Sequence, residues 1–151
     1  MKTYIKFLIN LFNISFIKIF TVFFIIVLVT NILEQAEFFK DINLNFLYLV
    51  FLSFLNTPSV LFEILPFIFL LSTQIFFIHL INKNELEVFK YTGLNNLKII
   101  KILGMYSFIL GIVLVIFFYN GSSILKNSYL LIKNSYSDDN KYLAVITENG
   151  L

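Results

Sequence analysis

The residues best placed to do chemistry are few, and the densest group is Glu85, Glu87 and Lys90, which lies between two long apolar runs. On one short helix, two carboxylates and an ammonium can make charge-assisted contacts with a soluble partner. Acids in a first turn are also stabilised by the helix dipole, by about 0.3–1 kcal/mol each, with nothing docked on them. Both uses stay open. Inside the apolar runs, Ser72, Thr73 and Gln74 read either as a solute path or as helix glue, since hydroxyls bond their own backbone and glutamines bridge helices. His79 stands near the end of its run, where an imidazole reaches water, and a proton relay there needs an intramembrane partner that the sequence does not offer. Glu63 reads as an acid stabilised near a helix start or as a coupling-ion ligand.

Other chemistry is excluded by what is missing. The chain has no cysteine and one histidine, so disulfides, thiol nucleophiles and ordinary zinc sites fall away together. It carries no Walker-type phosphate loop, no nucleophile elbow and no paired-carboxylate arrangement. No residue is assigned a catalytic or metal-binding role, and the chain is not expected to be an enzyme. A net charge of +2 with scattered basic residues does not fit nucleic-acid binding.

The elements that must position these groups are membrane helices. Charged residues are 13% of the chain and hydrophobic ones 59%, against roughly 25% and 45–50% in soluble domains, and mean hydropathy is +0.89. Residues 1–13 set Lys2, Lys6, Asn10 and Asn13 against Ile5, Phe7, Leu8 and Leu11, the pattern of an amphipathic interfacial helix. Residues 14–33 form a first span, with Lys18 placed to snorkel. Its length and Glu34 argue against a cleaved signal peptide. Residues 34–57 form an outer loop and a half-embedded helix interrupted at Asn56-Thr57-Pro58. A second span follows at 58–81, begun by Pro58 and kinked at Pro66.

Residues 82–96 hold the short helix, with Asn84 and Glu87 as a capping-box-like start and Gly93 as its stop. A third span at 97–119 carries Gly104, Ser107 and Gly111 on one face, the small-residue stripe along which membrane helices approach closely. Lys2 and Lys6 precede the first span and Lys83, Lys90, Lys98 and Lys101 surround the short helix, whereas Glu34, Glu37 and Asp41 outweigh Lys40 between them. The positive-inside rule then puts the N-terminus and the short helix in the cytoplasm. Residues 120–151 continue as a mixed helix, a turn at 137–140 and a β-prone run at 142–147 ending in Asn149-Gly150, a hairpin signal. A strand without a partner has little stability, so the chain is expected to be a fragment. The fold class expected is an all-α membrane protein of three transmembrane helices plus interfacial helices, with one β-strand at its C-terminus.

Two stretches carry a resemblance. Pro58-Ser-Val-Leu-Phe-Glu-Ile-Leu-Pro66 looks like the proline-bracketed start of the second span in the LptF/LptG permease family of lipopolysaccharide export, and Asn84-Glu-Leu-Glu-Val-Phe-Lys-Tyr-Thr-Gly93 looks like its coupling helix. Leu143-Ala-Val-Ile-Thr-Glu-Asn-Gly-Leu151 resembles the strand and turn that open the family's periplasmic β-jellyroll, closer to the LptG branch. The resemblance implies an N-terminal part of an ABC transporter permease in a Gram-negative inner membrane, multi-pass, with a cytoplasmic N-terminus and a periplasmic C-terminus. It implies that lipopolysaccharide is extracted from the bilayer and passed to periplasmic bridge proteins of the LptC and LptA kind, with a sister LptF-like permease and an LptB-like ATPase dimer as partners. ATP and magnesium would belong to that ATPase, leaving no cofactor in this chain. Carried onto this sequence, Glu85 is the acidic contact to the ATPase, and Leu86, Glu87, Phe89, Lys90 and Gly93 shape and end the docking helix. Gln35 and Lys40 stand where the family's lateral gate and headgroup contacts lie, although Glu34 and Glu37 make that end acidic.

Two other classes compete with it. A small inner-membrane scaffold without a transport role would be complete at this length, which the dangling hairpin opposes. A secondary transporter would need intramembrane ion ligands and an inverted repeat, and the spans do not resemble one another.

Overall fold

The computed structural model describes residues 3–40, 45–91, 93 and 95–136. Five helices follow in order: α1 (Thr3–Phe38), α2 (Phe46–Glu63), α3 (Leu65–Asn82), α4 (Glu85–Tyr91) and α5 (Asn96–Ser135). No strand occurs among the described residues, and the β-prone run at 142–147 with its Asn149-Gly150 turn lies outside them. In lipid, a helix satisfies every backbone group within its own segment, which is why these long apolar runs take this form.

Among the described residues four helices, α1, α2, α3 and α5, are long and apolar enough to cross a membrane. The sequence reading expects three. The extra candidate arises because the half-embedded helix does not stop at Asn56: α2 runs straight through Pro58. A proline inside a helix removes one backbone bond, a loss that membrane helices absorb when neighbouring hydroxyls and helices re-tie the turn. The bond removed at Pro58 is the one to the Phe54 carbonyl; beside it, Thr57 Oγ1 donates to the Ser53 carbonyl at 2.7 Å and Ser53 Oγ to the Leu49 carbonyl at 2.7 Å, without replacing it. The break comes instead at Ile64, which leaves helical geometry (φ −93°, ψ 4°) just before Pro66 opens α3. Nor does any break separate residues 3–13 from 14–33, because α1 is continuous over its 36 residues, about 54 Å at 1.5 Å per residue.

The chain forms two compact units. The first takes residues 1–25 and 63–116 and is built on Phe12, which is fully buried. Its ring meets Phe69 at 6.4 Å, Phe76 at 6.1 Å and Tyr106 at 6.0 Å. Phe16 meets Phe69 at 4.9 Å and Phe23 meets Phe67 at 5.7 Å. As numbers rise along α1 they fall along α3, so these two helices are antiparallel. Tyr106 Oη donates to Asn13 Oδ1 at 2.6 Å and ties α5 to α1.

The second unit takes residues 26–62 and 117–151. Phe39, Leu52, Leu55 and Tyr129 form its buried cluster, with Tyr48, Leu49 and Leu125 packed against it. Tyr136 reaches Tyr48 at 6.3 Å, and Phe62 reaches Tyr119 at 5.5 Å. Here α2 runs antiparallel to the later part of α5.

Candidate functional site

The short helix that the sequence singles out is present as α4, and its two ends are set by backbone conformation. Asn84 sits at φ 54°, in the left-handed region where asparagine is among the best tolerated residues. Its N–H donates to the Ile81 carbonyl at 3.0 Å, and Lys83 N–H donates to the His79 carbonyl at 3.2 Å, which closes α3. The Asn84 carbonyl then accepts from Glu87 N–H at 3.1 Å and opens α4. The expected capping box is therefore not the device used, since an N-cap takes extended backbone; one left-handed asparagine ends one helix and starts the next. Gly93 stops α4 as expected, at φ +80°, with its N–H on the Lys90 carbonyl at 3.0 Å.

Seven residues cannot bury a face of their own, and the first turns of α1 cover part of α4. The Phe89 ring packs on Phe7 at 5.9 Å and 57°. Thr3, Tyr4, Phe7, Glu85, Val88 and Phe89 line a cavity of about 330 Å³. A second cavity of about 250 Å³ is lined by Phe7, Asn10, Leu11, Ile14, His79, Lys83 and Glu85. Glu85 borders both and is half-buried, with its Oε2 enclosed and accepting no hydrogen bond. Leu86 is also half-buried, whereas Glu87, Val88 and Lys90 are exposed and Tyr91 is 91% exposed. The helix thus has an inner side, Glu85, Leu86 and Phe89, and a charged and aromatic outer side. Among the described residues no group of His, Cys, Asp and Glu has the arrangement to hold a metal ion.

The profile described as lipopolysaccharide export system permease LptF/LptG matches residues 6–150. The chain belongs to the LptF/LptG family. No curated protein and no solved structure matches it. As a member, the chain is a lipopolysaccharide export permease, a transport subunit rather than an enzyme.

The permease's remaining singled-out residues lie elsewhere. Gln35 is 1% exposed in the second unit, where its Nε2 donates to Tyr129 Oη at 3.0 Å. Lys40 is exposed just past the end of α1. The cation beside Gln35 is instead Lys133, whose Nζ donates to the same Tyr129 Oη at 3.0 Å and stands 4.2 Å above the Phe38 ring. Gly104 is exposed, Ser107 and Gly111 are half-buried, and a Cβ added at either glycine would meet nothing within 4 Å. Ser107 and Gly111 line an apolar groove of about 540 Å³ with Pro66, Phe69 and Ile112. Of the polar groups inside the apolar runs, Ser72 and Thr73 donate to the Ile68 and Phe69 carbonyls at 2.7 and 2.8 Å, which is the helix-glue alternative. Gln74 is exposed.

Sequence reasoning missed a buried polar relay in the permease's second unit. Asn31 Nδ2 donates to Thr57 Oγ1 at 3.1 Å and Asn31 Oδ1 accepts from Asn56 Nδ2 at 3.1 Å. The signal was available: Val27, Asn31, Gln35 and Phe39 recur every four residues, and all four are buried. They form the inward stripe of α1, and two of its positions are amides.

Proposed function

We propose that this permease is the membrane subunit of an ABC-type exporter that lifts lipopolysaccharide out of an inner membrane and hands it to a periplasmic bridge, working beside a sister permease of the LptF type and a cytoplasmic ATPase dimer that hydrolyses ATP. In this reading α4 is the coupling helix. Glu87, Lys90 and Tyr91 offer the ATPase an exposed charged and aromatic edge, Glu85, Leu86 and Phe89 seat the helix on its own chain, and Gly93 ends it. Gln35 and Lys40 belong to the gate end of α1, and Gly104, Ser107 and Gly111 form a helix-packing stripe on α5.

The observation that carries the reading is the seating of α4 on the start of α1 through Phe7 and Phe89. Two residues in contact lie on one side of the bilayer, so an even number of crossings separates them. On that parity α1, α2 and α3 together contribute two crossings and α5 a third. Lys6 precedes the apolar part of α1 and Lys83, Lys90, Lys98 and Lys101 surround α4, whereas Glu34 and Glu37 outweigh Lys40 at the other end of α1. The basic side is cytoplasmic by the positive-inside rule, which supports a cytoplasmic N-terminus and a periplasmic C-terminus.

The test is affinity purification of the native permease from membranes, compared with Glu87→Lys. Wild type should bring down an ATPase and a second permease, and the charge reversal should lose the ATPase while keeping the second permease. Wild type arriving without any ATPase would sink the reading.

A further inference from the structure

We propose that Phe7 is a positioning residue of the transport cycle: it clamps α4 to the first turns of α1, so that a displacement of α4 reaches α1 directly as well as through the helices α4 joins. The inference rests on the reading of α4 as the coupling helix. α4 has seven residues and no buried side chain of its own. A helix this short has marginal stability alone, so its position is set by what holds it. At its start it is held by the left-handed turn at Asn84 that closes α3. A lateral hold comes from α1: Phe89 on Phe7 at 5.9 Å, with Thr3 and Tyr4 beside Val88 and Glu85.

Phe7 is well placed to pass movement on. One residue later Leu8 is 1% exposed, and Phe12, one turn further, is the ring that contacts Phe69, Phe76 and Tyr106. An α-helix is stiff over one or two turns, and close-packed aromatic contacts yield by switching between arrangements rather than by compressing. A push on α4 therefore moves the start of α1, and α1 carries it into the packed centre of the first unit. Without the Phe7 ring, α4 stays tethered at Asn84 but can slide over α1 without moving it.

The chain has no cysteine, which makes a thiol test clean. In the assembled exporter reconstituted in vesicles, ATP hydrolysis and lipid delivery are measured separately for Phe7→Ala, Phe7→Tyr and the pair Phe7→Cys with Phe89→Cys, the last before and after joining with a short bis-thiol reagent. Phe7→Ala should keep its ATPase and its hydrolysis rate but deliver roughly 2- to 12-fold less lipid per ATP, the size of an aromatic pair's coupling. Phe7→Tyr should restore delivery, and the joined cysteine pair should deliver more than the unjoined one. Normal delivery per ATP by Phe7→Ala, or arrest of delivery by the cross-link, would overturn the clamp while leaving the exporter reading standing. A wild-type permease that retains no ATPase would overturn the reading beneath it. If Phe7→Ala fails to assemble, the cross-linked pair decides alone, since a clamp survives joining and a contact that must part does not.

Discussion

Tyr129→Phe removes one oxygen and strands two donors. Tyr129 is 5% exposed and Gln35 is 1% exposed. The hydroxyl accepts from Gln35 Nε2 at 3.0 Å and from Lys133 Nζ at 3.0 Å, and Gln35 Oε1 lies 3.3 Å from it. The substitution leaves the ring and its packing in place, so the cavity cost is small and the polar cost dominates. A buried amide left unpaired costs about 1–3 kcal/mol, and hydrogen bonds between membrane helices average about 0.6 and reach about 1.7 kcal/mol. Lys133 keeps its place over Phe38 at 4.2 Å, which limits its share. The expected destabilisation is about 1–2 kcal/mol, read as a shift in the midpoint of unfolding in mixed micelles with a rising SDS fraction. Gln35→Leu should cost a similar amount. The double substitution should cost much less than the sum, because an apolar pair leaves no amide stranded, with a coupling of about 1 kcal/mol. If Tyr129→Phe changed stability by less than about 0.3 kcal/mol, or if the two losses simply added, the Gln35–Tyr129 bond would not be holding α1 to α5.

Phe12→Ala should cost about 3–5 kcal/mol, because the ring is fully buried among Phe69, Phe76 and Tyr106; the same unfolding assay checks it. Asn84→Val should cost about 1–2 kcal/mol at its left-handed backbone while Asn84→Gly costs little, measured by unfolding and by retention of the ATPase. Thr57→Val should leave the Asn31 amide short of a partner at the fully buried Thr57 position and lose about 1 kcal/mol. Single cysteines at Glu87 and at Lys40 should be labelled by a membrane-impermeant maleimide from opposite sides of the membrane, with Glu87 accessible only in inside-out vesicles.

The fold was most legible where the local rule is strict. Gly93 marks the end of α4 because its φ of +80° suits glycine above all other residues, and the apolar runs mark the long helices because lipid permits little else. Pro58 was misread because a membrane helix can carry an internal proline where a neighbouring helix holds it: α2 continues through Pro58, and Asn31 of α1 bonds the adjacent Thr57. Asn84 was misread for a similar reason, as the same residue type serves an N-cap and a left-handed turn. In the candidate site the residues of α4 were legible and their division was not. The resemblance assigns the ATPase contact to Glu85, yet α4 seats Phe89 on Phe7 with Glu85 half-buried and Glu87 exposed, and it is on that exposure that the contact is proposed for Glu87 instead. The burial of Asn31 and Gln35 went unread because amides near the end of an apolar run look like its polar border; only their four-residue step with Val27 and Phe39 marks them as inward-facing.

In the proposed exporter, this permease moves lipopolysaccharide only while an ATPase bound at α4 hydrolyses ATP. The most direct test is release of labelled lipopolysaccharide from vesicles holding the reconstituted exporter to an added periplasmic acceptor, with and without ATP, for wild type and Glu87→Lys. Wild type should release lipopolysaccharide only with ATP, and Glu87→Lys should lose that release. Release that proceeds without ATP, or that survives the charge reversal undiminished, would contradict the proposal.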